Sequence, residues 1–286
     1  MTANKNPKVS VIMNCHNCGK YLREALDSIY QQTFKDYEII FWDNKSTDNS
    51  PNIALEYGEP IRYFQGEKFL PLGGARNLAI EKARGEYIAF LDCDDIWLPE
   101  KLEQQIKLLD SNKELGLVYS DNYVIDGKGN IKNKTSFDNL TPMRGNVFNN
   151  LLTDNFIPLL TVIVRKEVFS KAGLFNEKYE INEEYDLWLK IAEYYPVDFI
   201  RTPLAKYRIH GGNFGKNVEK YINENFQIIT YWLDKKPELN TNRDLMNKVK
   251  IKKIRMHLRL AQFLFYKHEY RKGIVTLINS VKSVFT

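Results

Sequence analysis

Asp92, Asp94 and Asp95 stand within four residues where the apolar run "YIAFL" (87–91) ends, with Cys93 between the first two. Like charges this close repel, and a divalent cation among them would remove that cost. Carboxylate oxygens favour Mg2+ or Mn2+, ions that keep open positions for phosphate oxygens. An isolated acidic turn is more often a solvated helix cap, so position has to decide. Two other stretches share the setting. "DNKSTDNS" follows "YEIIFW" (37–42) and carries Asp43, Asn44 and Ser46; Asn14-Cys15-His16-Asn17 follows "KVSVIM" (8–13). Asp43, first off its run, is suited to accept from a nucleobase N–H or a ribose hydroxyl, while the Ser and Asn after it are also ordinary turn and cap residues.

Three further groups are candidates. "GGARN" (73–77) opens a helix with two glycines, and Arg76 could pair with a phosphate there, although a plain helix start has the same form. In "NEEYDLWLKIAEYY", Glu184 heads the stripe Leu187, Trp188 and Ile191 at helical spacing, whereas Asp186 shares the polar face with Lys190 and suits a surface ion pair. An inward carboxylate is costly without a role, so Glu184 is a candidate general base; a capping or pairing role fits the spacing equally well. His210 precedes Gly211, Gly212 and Gly215 in a run able to close over a ligand, yet a lone His is more often structural. Cys15 and Cys18 have the C-x-x-C spacing of redox and zinc sites. No His shows ligand spacing, and the following helix begins only after Cys18, so both are read as small packing residues.

The elements that must position these residues alternate. Strand patterns at 8–13, 37–42, 61–65 and 87–91 are separated by helix patterns at 21–32, 50–58 and 73–85, the last closed by Gly85. Such crossovers imply an α/β fold: a Rossmann-like, mostly parallel sheet with helices on both faces. Ligands bind beyond the carboxyl ends of such strands, which is where Asn14, Asp43 and Asp92 lie. A helix at 98–112, a strand at 115–121, a polar excursion at 126–146, a strand then helix at 159–173 and a helix at 183–195 follow; from about 217 the pattern is wholly helical.

Composition excludes several classes. The 286 residues are 43% hydrophobic and 27% charged, as in ordinary globular proteins. Three Cys make no disulfide framework, and no run approaches a signal peptide or membrane span, so a cytoplasmic protein is expected. The net charge of +5 is uneven: residues 241–286 hold eleven Lys/Arg and two acids. Neither G-x-G-x-x-G nor a P-loop is present.

In order, "SVIMNCHN", "LDSIYQQTFKDYEII", "FWDNKSTDNS", "GGARNLAI", "GEYIAFLDCDD", "EEYDLWLK" and "YRIH" resemble the family 2 glycosyltransferases, inverting enzymes of GT-A fold, over about residues 8–213. Members of the type meant build bacterial cell-surface polysaccharide and glycoconjugates. The resemblance implies transfer of a hexose from a nucleotide-sugar, a UDP-sugar by first expectation, to a hydroxyl of a glycan or lipid-linked glycan. It implies Asp43 at the base, Arg76 and Asn77 near the donor, Asp92 near the ribose, Asp94 on Mn2+ or Mg2+, and His210 beside the metal–diphosphate. The backbone from Asn14 through His16 to Asn17 would lie against base and ribose. Glu184 stands where the family more often has Asp as base, which keeps Asp186 as a backup.

The expected division is a catalytic domain over 1–215 and a basic helical appendage over 216–286. Its two helices would pack on each other through Leu258, Ala261 and Phe265 against Ile274, Leu277, Ile278 and Val281, and the appendage would cover the catalytic domain or mediate a homodimer. Alternatively it docks at the inner face of a membrane as a peripheral contact. Nucleic acid is not expected, since no binding module is visible. The rival readings are a nucleotidyltransferase, which should carry a Gly-rich basic loop after the first strand, and a sugar-nucleotide-binding protein that has lost catalysis.

Overall fold

The computed structural model describes residues 6–211 and 217–285, which fall into two compact units: 6–147 with 156–211, and 148–155 with 217–285. The segment 148–155 therefore belongs with the helical tail in space, although the chain places it in the middle of the first unit.

In the first unit, β1 (Val9–Cys15), β2 (Tyr37–Asp43), β3 (Ile61–Gln65) and β4 (Tyr87–Phe90) are separated by α1 (Leu22–Tyr30), α2 (Ser50–Glu56) and α3 (Leu72–Lys82). They pair in parallel in the order β3-β2-β1-β4. Both faces of β1 and β2 are buried, because the crossovers put helices on each side. Leu22, Ala25, Leu26 and Ile29 of α1 supply one such apolar stripe. Gly85 does not close α3, whose last residue is Lys82; a Cβ there would meet the backbone N of Ser10 at 2.5 Å. It is the close approach of this turn to β1 that requires glycine.

Beyond β4 the sheet continues with β5 (Ile96–Trp97), β6 (Leu117–Asp126), β7 (Ile131–Thr135), β8 (Ile163–Arg165) and β9 (Val197–Ile209). The full order is β3-β2-β1-β4-β8-β6-β9-β5, with β7 on β6. α4 (Lys101–Ser111) follows β5, α6 (Phe169–Ala172) follows β8, and α7 (Glu183–Ala192) precedes β9. The architecture is a mostly parallel α/β sheet flanked by helices. The strand β9 was not expected. Pro203 interrupts its pattern and sits where the pairing with β6 shifts register at Ser120–Asn122. The polar excursion at 126–146 begins as the β6–β7 hairpin.

The second unit holds α5 (Phe148–Thr153), α8 (Val218–Lys235), α9 (Arg243–Tyr266) and α10 (Tyr270–Phe285). Its seam differs from the expected one. Met256, Leu260 and Leu264 pack with Ile222, while Leu258, Ile274 and Ile278 are exposed. Phe265 does meet α10, but at its first turn, where a Cβ on Gly273 would come within 2.6 Å of its ring. The side chain of Val281 is outside those described.

Candidate active site

The ends of β1 and β2 form one corner, with Cys15 and Asp43 in register. Asp43 is wholly enclosed and accepts from Ser46 N at 2.8 Å, the Tyr63 hydroxyl at 2.8 Å and Gln65 Nε2 at 3.1 Å. Burial alone would raise its pKa, but these bonds outweigh it and hold the carboxyl below its ordinary range. Asn44 is pinned by two bonds to the backbone of Leu70. Asn17, left-handed at φ 57°, accepts on Oδ1 from the amides of Thr47 and Asp48, and its own N–H donates to Ser46. His16 Nδ1 lies 2.9 Å from Asn44 O, with its ring edge-on to Phe69. Most of these polar residues thus knit the two loops together. Asn14 differs: it is buried and neither amide atom has a hydrogen-bond partner. Such an orphan is costly and calls for a partner from a ligand or water.

The acids after β4 are spread among distinct partners. Arg76, 3% exposed, gives Nη2 to Asp92 at 2.8 Å and Nη1 to Glu183 at 2.6 Å. The guanidinium expected to meet a phosphate is therefore a bridge between the Asp92 loop and the first turn of α7. Asn77 holds Phe175 through both ends of its amide. Asp94 Oδ2 lies 2.8 Å from His210 Nε2. Burial, then the Asp92 charge, raises the Asp94 pKa against the opposing pull of His210. Asp95 is more enclosed, its pKa well up through burial and its acidic neighbours; it accepts from the amide of Arg208. Gly212 and Gly215 lie outside the described residues.

On α7, Glu184 remains partly open, and its pKa is pushed up to about 8 by burial first and by Glu183 second. Asp186 does pair with Lys190, at 2.6 Å, but not on the surface: the carboxylate is 1% exposed. The helix is buried nearly all round, with Tyr185, Leu187, Trp188 and Leu189 also covered, so it has no polar face of the expected kind.

Together, Asn14, Asp92, Asp94, Glu184 and His210 lie at strand or helix ends, with the Asp94 and Glu184 carboxyls held above their ordinary pKa, a setting for a cation and a polyanionic substrate. A family model described as glycosyl transferase family 2 matches residues 10–172. The chain belongs to glycosyl transferase family 2. Among its relatives, an uncharacterised glycosyltransferase of Rickettsia felis is 34% identical over 229 residues, covering 76% of this chain and 37% of that one. The chain thus spans little more than a third of that relative's length. The Escherichia coli enzyme named UDP-Glc:alpha-D-GlcNAc-diphosphoundecaprenol beta-1,3-glucosyltransferase WfgD is 28% identical, covering 77% of this chain and 85% of that one. In fold, the chain is similar to the mannosyltransferase PcManGT of Pyrobaculum calidifontis, solved with GDP-Man and Mn2+: TM-score 0.64, 16% identity, 99% of this chain and 87% of that one.

Two residues of this family 2 site were missed from the sequence. Arg208, 1% exposed, donates through Nε to Asp94 O and through Nη2 to Glu24, and lies over the Tyr21 ring at 4.5 Å. It anchors the Asp94 loop to α1, and its signal was its place two residues before His210. Tyr207 is the other; burial, then Asp95, Asp94, Asp92 and Glu184, raise its hydroxyl pKa. A third finding concerns sulfur. Cys15, Cys18 and Cys93 bring their Sγ atoms within 4.8 Å of one another. The β1–β4 pairing ends at Ile12 opposite Phe90; beyond it the Cys93 thiol donates to Asn14 O, and Cys18 follows the left-handed Asn17. Among the described residues, no helix is long and apolar enough to cross a membrane.

Proposed function

We propose that the first unit, within the expected 1–215 domain, transfers a sugar from a nucleotide-sugar donor to an acceptor hydroxyl with inversion. The observation that carries this reading is Glu184: a half-open carboxylate, its pKa up to about 8, beside the Arg76–Asp92 pair. Asp186 is committed to Lys190, which leaves Glu184 as the base. Its carboxylate takes the acceptor proton as the oxygen attacks the anomeric carbon, and a single displacement inverts the configuration. Arg76 holds Asp92 and Glu183 in place, and its charge opposes their upward push on the Glu184 pKa. Asn14 is the group in the first loop with hydrogen-bonding capacity to offer a donor.

Asp94 fits a divalent ion, since a carboxylate raised by burial and by Asp92 gains from a cation and its oxygen suits Mn2+ or Mg2+, with the His210 imidazole 2.8 Å away. When bound, such an ion supplies Lewis-acid stabilisation of the departing diphosphate. The names of WfgD and PcManGT support UDP- or GDP-linked donors, and that of WfgD supports a diphospholipid-linked glycan acceptor. A lipid acceptor agrees with the second unit, where exposed Ile274, Val275 and Ile278 lie on α10 near Arg271 and Lys272. Co-sedimentation of the full chain with anionic but not neutral vesicles is expected. The catalytic test is a panel of UDP- and GDP-sugars with Mn2+ and acceptor glycans. Sugar transfer is expected with at least one donor, and nucleotide release without any sugar transfer would point to the wrong reaction.

A further inference from the structure

We infer that Cys15, Cys18 and Cys93 form a binding site for one thiophilic divalent cation of the Zn2+ class, separate from the Asp94–His210 position. Three observations carry it. The three sulfurs lie within 4.8 Å of one another, and among the described residues they are the group of three metal-capable side chains whose ligand atoms converge this closely. A Zn–S bond is about 2.3 Å, which sets sulfurs on a tetrahedral ion about 3.8 Å apart. The cluster therefore needs to contract by roughly an ångström at most, within the reach of side-chain rotation. Second, the sulfurs come from backbone already fixed for other reasons. Cys15 ends β1, Cys93 follows β4 with its thiol donating to Asn14 O at 3.1 Å, and Cys18 follows the left-handed Asn17. Third, Cys15 and Cys93 are buried while Cys18 is half-exposed, which leaves one side open for entry and for a water as fourth ligand. The Ser46 hydroxyl, 3.7 Å from Cys15 Sγ, is available to stabilise a thiolate there.

Thiolates select soft and borderline ions over Mg2+ and Mn2+, so the two sites sort cations by chemistry although Cys93 lies between Asp92 and Asp94. Binding forms metal–sulfur bonds and releases the thiol protons to the buffer. The bound ion ties the first strand-end loop to the Asp92–Asp94 loop, fixing two walls of the proposed donor site from below.

The test is titration of the reduced full chain with Cd2+ alone, in the absence of donor and Mn2+, following sulfur-to-metal charge-transfer absorbance. One equivalent per chain is expected. Cys18→Ser, the most exposed of the three and the least disturbing to the core, should weaken binding by more than about 100-fold, and Asp94→Asn should leave it unchanged. As a check that needs no variant, one equivalent of Cd2+ should protect all three thiols of the wild-type chain from alkylation. Wild-type protein with no charge-transfer band and no protection overturns the proposal, as does a Cd2+ site lost in Asp94→Asn but kept in Cys18→Ser. Neither readout depends on glycosyl transfer, so failure here leaves the proposed activity standing, and the reverse also holds.

Discussion

The two ends of the parallel strands carry similar numbers of charges under opposite conditions. At the amino end, Lys8 Nζ lies 2.7 Å from Glu86 and 3.0 Å from Asp110, and Lys113 and the Tyr87 hydroxyl also reach Asp110. The Glu86 carboxyl is held below its ordinary pKa, chiefly by the Lys8 hydrogen bond. Asp110 falls to about 2, its bonds from Tyr87, Lys8 and Lys113 overcoming burial. At the carboxyl end, Asp43 is held down by its hydrogen bonds, but Asp94, Asp95 and Glu184 stand above their ordinary values, with burial as the first cause and neighbouring acids as the second. A cleft of about 730 Å3 opens at the amino end, lined by Lys8, Arg84, Glu86 and Arg165 among others. At the proposed site the raised carboxyls are ones that a cation, a diphosphate and a transferable proton would relieve.

The largest break in this contrast should come from Glu184→Gln. Turnover is expected to fall by about 10²–10⁴-fold, with donor affinity by calorimetry unchanged. A near-wild-type rate would remove the base assignment. In the wild type, kcat/KM should drop tenfold per pH unit below about 8, since only the deprotonated carboxylate accepts the proton. Arg76→Met comes next. It strips the counter-charge from Glu183, which is as buried as Arg76 itself, and from Asp92. A stability loss of about 3–5 kcal/mol in urea unfolding is expected, as for other buried pairs broken on one side. A smaller effect sharpens the contrast rather than breaking it. The folded pKa of Glu184 is raised, so its contribution to stability is present at low pH and lost as pH climbs from the ordinary Glu range through about 8. Gln does not titrate. The Tm of Glu184→Gln should match or trail the wild type at pH 5 and exceed it at pH 9; a constant difference across that range would show that the carboxylate carries no strain.

The amino-terminal half of the fold was legible because β1, β2 and β4 are largely apolar buried runs and α1 has a clear 3.6-residue stripe. β9 was not, because Pro203 and the charged Lys206 and Arg208 disguise a strand whose irregularity follows a register shift in its neighbour. Within the site, which residues lie on the rim could be read from strand ends, but whom they pair with could not. Arg76 meets Glu183 across a hundred residues of chain, and no local pattern encodes that. Asp186 was misread as a surface residue because α7 is enclosed on its polar side as well, a tertiary fact invisible to helical spacing. The thiol cluster was within reach. Cys15 ends the first apolar run and Cys93 lies just past the fourth, on strands that pair as neighbours, so their closeness could be read from the strand ends.

The smallest predicted effect belongs to the satisfied end. Lys8→Met removes one partner from each of two acids that keep others: Asp110 retains Tyr87 and Lys113, and Glu86 retains Arg165 at 3.5 Å. Lys8, Glu86 and Asp110 are partly in water, so the loss should be within about 1 kcal/mol at pH 7. Its pH dependence runs opposite to that of Glu184. Depressed carboxyl pKa values contribute stability above the unfolded range and lose it as pH falls through the folded values, so the difference between Lys8→Met and wild type should fade toward about pH 2. Roughly 1 M salt, where the screening length is about 3 Å, should shrink it at neutral pH as well. If Lys8→Met instead cost as much as Arg76→Met, the amino end would be no less strained than the carboxyl end, and raised acid pKa values would lose their value as the mark of the site.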